Sequence, residues 1–76
     1  MTVTKNEIGF NAGNILNLLT IRGRLSLRQI GEMTHYKDVS ITMAIGWLLR
    51  EGKVLVYNED GKLYFDLNRS VSEIYY

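Results

Sequence analysis

The sequence predicts an α+β domain of three helices followed by a β-hairpin, and three observations predict it. Apolar residues recur at helical spacing in three separate stretches between Ile8 and Leu49. Two of these stretches open on a Ser/Thr-x-x-Glu/Gln capping signal. Beyond Gly52 the period shortens to two, and Asp60-Gly61 divides the alternating segment into two strands.

The first helix opens at Thr4-Lys5-Asn6-Glu7, where the Thr hydroxyl can accept the Glu7 amide and Glu7 can reach back. Val3 and Ile8 stand at the staple positions. The inward stripe is Ile8, Ala12, Ile15, Leu16 and Leu19; Gly23 is the expected stop, with Arg22 favourable at the negative end of the helix. The second helix repeats this grammar with Ser26-Leu27-Arg28-Gln29, stapled by Leu25 and Ile30, and turns Leu27, Ile30 and Met33 inward. It ends near Thr34-His35. After the turn Tyr36-Lys37, Asp38 is the expected N-cap of a third helix. That helix buries Ile41, Ile45, Leu48 and Leu49 and stops at Gly52. Two strands follow. Lys53 to Tyr57 alternates Val54 and Val56 against Leu55 and Tyr57, and Lys62 to Leu67 alternates Leu63, Phe65 and Leu67 against Tyr64 and Asp66. A very short strand at Arg24-Leu25 is expected to join them. The segment Asn68 to Tyr76 lies beyond the hairpin. It reads either as a frayed end or as a short docking helix capped at Ser70 and carrying Ile74, Tyr75 and Tyr76.

Composition bounds what such a chain does. Its 76 residues suffice for one domain, expected over 1–67 with a tail at 68–76. At 46% hydrophobic and 22% charged, it has a folding rather than a disordered composition. A chain this short buries only roughly 60–65% of its unfolded surface. With no cysteine, disulfides and thiolate metal sites are excluded, so self-association is the expected extra support. The net charge of +1 is far from the strongly basic balance that phosphate-dominated binding favours. No apolar run approaches the ~18 residues of a membrane span. Residues 1–5 carry no apolar signal core, which makes the cytoplasm the expected compartment.

Two short helices, a three-to-four-residue turn and a hairpin compose a winged helix-turn-helix. The stretch from Leu25 to Thr34 looks like the usual first helix of that motif; Ile41, Ala44, Ile45, Leu48 and Gly52 fit the second. More narrowly, Asn11-Ala12-Gly13 and the run from Ala44 to Val54 resemble a family of small, stand-alone winged helix-turn-helix proteins of bacteria and archaea with no assigned function. The resemblance covers residues 7 to 67, with Ala44-Ile45-Gly46-Trp47-Leu48 as its most specific part. It implies the fold and a link to nucleic acid, and brings no catalytic residues.

The third helix is the one that reads DNA in this fold, yet its outward side holds Val39, Met43, Gly46, Trp47 and Arg50. Base edges are read by Arg, Lys, Ser or Asn, and neither Met43 nor Trp47 makes such hydrogen bonds. Two placements of Trp47 are open: folded back onto the hairpin to complete the core, or presented to a partner. Gly9 and Gly13 each lower helix propensity by about 1 kcal/mol, which calls for close approach of another helix, in the same domain or across a dimer beside Phe10. Candidate phosphate contacts are Arg24, Arg28, Lys37 and Arg50, with Arg22 nearby; Glu59 and Asp60 at the wing tip oppose them. The bland reading of such charges is a solvated face.

His35, the single histidine, has no evident partner, the acids form no dyad and the glycines no phosphate loop, so neither catalysis nor a cofactor nor a metal is expected. The sequence thus points to a transcription-regulator-like module with weak or partner-assisted DNA binding. A homodimer is expected through Phe10, Met43, Trp47, Ile74, Tyr75 and Tyr76, with either the third helix or the C-terminal tail supplying the contact. The alternative is a protein-interaction module without base readout.

Overall fold

The computed structural model describes residues 2–69. The expected docking residues Ile74, Tyr75 and Tyr76 lie outside them. The order is α1 (Lys5–Arg22), β1 (Leu25–Ser26), α2 (Leu27–Thr34), α3 (Asp38–Arg50), β2 (Val54–Glu59) and β3 (Lys62–Leu67). The strands form one antiparallel sheet in the order β1-β3-β2. Three helices followed by this sheet make the winged helix-turn-helix architecture.

Local chemistry explains most of the boundaries. Thr4 caps α1 by accepting from the Glu7 amide at 3.1 Å, and α1 stops at Gly23 with φ 83°. The capping box of α2 is complete: Ser26 Oγ accepts from the Gln29 amide, and Gln29 Oε1 accepts from the Ser26 amide. His35 ends α2 in the left-handed conformation, φ 62°. Two caps differ from expectation: Glu7 returns no hydrogen bond to the Thr4 amide, so the α1 capping box is half-formed, and the cap of α3 falls one residue early. Asp38 is the first residue of α3 and Lys37 is its N-cap, without a side-chain hydrogen bond. Asp38 still helps by placing its negative charge in the first turn, against the positive end of the helix dipole. Gly52 follows α3 at φ 71°, as expected of a residue in the left-handed region.

The hairpin is tighter than the alternation implied. Glu59 belongs to β2 and pairs with Lys62, leaving a two-residue turn at Asp60-Gly61. Both turn residues have positive φ, 55° and 82°, the backbone of a type I′ turn that matches strand twist. Asn58 Oδ1 accepts from the Gly61 amide and closes it. The short strand falls at Leu25–Ser26, one residue later than expected, and pairs Leu25 with Phe65.

The core is Ala12, Ile15, Leu19, Leu25, Ile30, Ile41, Ala44, Ile45, Leu48, Val54 and Phe65, drawn from all six elements. Two residues expected inside are not: Met33 and Leu49 are exposed. Each stands at the margin of its helix stripe, past the point where the neighbouring element covers it. Among the described residues no buried side-chain polar atom lacks a hydrogen bond. None of their helices is long and apolar enough to cross a membrane.

Candidate interaction surfaces

The four candidate phosphate contacts differ in what holds them. Arg24 reaches across the sheet to Glu59, and its guanidinium lies over the rings of Tyr57 (4.3 Å) and Tyr64 (5.1 Å). This arrangement holds the cation on the strand side and partly neutralises the wing-tip acid. Arg28 pairs with Glu32 one turn on along α2, at 3.2 Å. Lys37 and Arg50 make no ion pair among the described residues, but they stand at opposite ends of the thirteen-residue α3, about 20 Å apart. Two cations are thus tied to acids and two are separated by a helix length.

The outward side of α3 is mainly apolar. Val39 is 58% exposed and Met43 41%, and Gly46, three residues beyond Met43, offers no side chain. Trp47 is half-buried because it folds back onto α1. A Cβ placed on Gly9 would sit 3.3 Å from Trp47 Cζ2. The indole therefore meets α1, where the sequence had offered the hairpin or a partner as its place. Gly9 is the residue that leaves room for it. Beside the indole, an open groove of about 730 Å³ runs between α1 and α3, with Ile8, Met43 and Trp47 as its apolar wall and Lys5 and Arg50 at its rim.

A second groove, about 250 Å³, lies between α3 and the wing, walled by Ile45, Leu49, Val56, Leu63 and Phe65. Leu49 and Leu63 are each more than 40% exposed beside it. Sequence reasoning missed this groove because it counted Leu49 as core and read Val56 and Leu63 only as alternating strand positions. The available signal was the width of the α3 stripe: Ile41, Ala44, Ile45 and Leu48 already fill the inward arc, so Leu49 falls at its edge.

On α1 the expected interface residue Phe10 is 68% exposed, and Ile21 is 75% exposed. A Cβ on Gly13 would meet nothing within 4 Å, so the close approach that explains Gly9 does not extend one turn further. His35 sits in the turn after α2, and no group of three or more potential metal ligands occurs among the described residues.

The uncharacterized protein MJ1608 of Methanocaldococcus jannaschii is 42% identical to this chain over 59 residues, 74% of this chain and 83% of the relative. Residues 1–67 match the family model described as winged helix-turn-helix domain (DUF2582). With its three helices, its short β1 and its wing, the chain belongs to this winged helix-turn-helix family.

Proposed function

We propose that the chain is a transcription-regulator-like module that works through protein contacts, self-association foremost, and touches nucleic acid only weakly. The observation that carries this reading is the outward side of α3. Val39, Met43 and Gly46 occupy positions where a base-reading helix needs hydrogen-bonding side chains, and apolar surface in water favours a protein partner. The engagement of Arg24 by Glu59 and of Arg28 by Glu32 supports the same reading, since each acid offsets part of the charge its cation would bring to a phosphate. Lys37 and Arg50 remain as the basis of a weak, sequence-independent attraction to duplex backbone.

Titration of the protein with labelled duplexes of unrelated sequence, at low and near-physiological salt, tests this. Affinity is expected no tighter than the ~10⁻⁴–10⁻⁶ M of non-specific binding, equal among sequences and falling steeply with salt. Nanomolar binding to one duplex in preference to others at physiological salt would overturn the reading.

A further inference from the structure

We propose that the outer face of α1 is the interface of a homodimer in which two copies of this helix pair antiparallel. The proposal rests on the self-association reading above but assigns the contact to α1 rather than to the α3 face that carried that reading.

The fourteen residues from Ile8 to Ile21 contain no charge, although α1 lies on the outside of the domain. A helix with a solvated face normally carries charged residues there. Phe10 and Ile21 are the most exposed of the large apolar side chains described, at 68% and 75%. They lie on one line of the helix with Asn14 and Asn17, spaced four, three and four residues apart. That is the spacing of a two-helix seam. Ala12, Ile15 and Leu19 fill the opposite, buried side, so the seam faces away from the core, with Tyr36 reaching it only at Asn14.

The seam is self-complementary. Read in either direction it runs apolar, Asn, Asn, apolar. A two-fold axis level with Ile15 and Leu16 sets Phe10 against Ile21 of the partner subunit and Asn14 against Asn17 of the partner subunit. Asn14 Nδ2 already donates to Tyr36 Oη at 2.8 Å, which fixes that amide and leaves its oxygen free to accept from the partner. Polar pairs at the centre of an apolar seam set register and orientation.

Charge selects the antiparallel sense. Glu7 stands at the start of α1 and Arg22 at its end, and neither has an ion-pair partner among the described residues. Antiparallel pairing brings Glu7 near Arg22 of the partner subunit and aligns the helix dipoles favourably; parallel pairing sets like charges side by side. Gly13, on the flank of the seam, has no neighbour within its own domain that would require a glycine, and a second helix supplies one. A seam of about 16 Å is small for a protein interface, so the dimer is expected to dissociate at micromolar rather than nanomolar concentration.

The absence of cysteine makes the test clean. Under mild oxidation, Phe10→Cys chains mixed with Ile21→Cys chains are expected to form disulfide-linked dimers. Phe10→Cys chains alone are not, because their thiols lie about 16 Å apart in the antiparallel pair, far beyond disulfide reach. In sedimentation equilibrium the unaltered chain is expected to dimerise and Phe10→Glu to associate ~10-fold more weakly or worse while keeping its helical circular dichroism. Mixing Phe10→Glu with Ile21→Lys is expected to restore dimers. A monomeric unaltered chain at high micromolar concentration overturns both self-association and this interface. A dimer that withstands Phe10→Glu, or that disappears when residues 71–76 are deleted, leaves self-association standing and overturns the α1 interface alone. Cross-linking of Phe10→Cys chains with themselves overturns the antiparallel sense.

Discussion

Gly9 and Gly13 lie one turn apart on α1, and only Gly9 is accounted for by the domain that contains it. Gly9 makes room for the Trp47 indole, 3.3 Å from where its Cβ would stand; Gly13 has open space. The same residue type, at about the same loss of helix propensity, therefore marks two different surfaces. Around Gly9 the surface is closed by an aromatic ring. Around Gly13 it is neutral, apolar at both ends and uncovered. On the proposed reading, the uncharged stretch of α1 that Trp47 leaves uncovered is surface for contact with a second copy.

The largest test of this contrast is to remove the ring that closes the Gly9 side. Trp47→Ala is expected to lower stability by about 2 kcal/mol, less than the ~3–5 kcal/mol of a fully buried Trp because Trp47 is half-buried. Urea unfolding measures it. Phe10→Ala, at 68% exposure, should cost the folded monomer less than about 0.5 kcal/mol under conditions where it does not associate. Equal losses from the two aromatics would erase the distinction between closed and open faces.

Next come the glycines themselves. Gly13→Ala in the monomeric Phe10→Glu background is expected to raise stability by about 0.5–1 kcal/mol, since alanine is the better helix former and nothing opposes its methyl group. Gly9→Ala is expected to fall below that gain, because its methyl presses on Trp47. Thermal unfolding of the two variants side by side reads the difference. A Gly9→Ala gain as large as that of Gly13→Ala would show that the indole yields freely and is not a packed closure.

Smaller effects are expected at the wing. Arg24→Ala removes a partly exposed ion pair with Glu59 and the stacking on Tyr57 and Tyr64, worth less than about 1 kcal/mol together. Circular dichroism melts of Arg24→Ala measure it, and a loss of several kcal/mol would mark the cluster as a structural clasp. Smallest of all, Asp60→Asn keeps a residue suited to positive φ and removes one acid from the wing tip. Its effect on duplex affinity at low salt is expected to stay under about threefold. A larger gain would place the wing against the phosphate backbone.

Much of the fold was legible because its boundaries are local chemistry. Thr4 with Glu7, Ser26 with Gln29, Gly23, Gly52 and Asp60-Gly61 each act within a few residues of themselves. The departures lie where distant elements meet. Leu49 and Met33 have the right spacing for burial, but whether a stripe's margin is covered depends on how far the neighbouring element reaches. Trp47 on Gly9 is a contact across thirty-eight positions that periodicity alone does not announce. Glu59 illustrates the same point electrostatically. In sequence it is a bare wing-tip acid; in the fold it holds Arg24, one of the cations it was set against. The neutrality of residues 8–21 is plain in the sequence, yet it takes its meaning from the fold, where Phe10 and Ile21 share the side of α1 opposite the core.

Sedimentation equilibrium of the unaltered chain from low to high micromolar concentration is the most direct measurement of whether this winged helix works through contact with its own copy. A concentration-dependent shift from the 8.8 kDa monomer to twice that mass is the expected result. A single monomeric species across the whole range would contradict it.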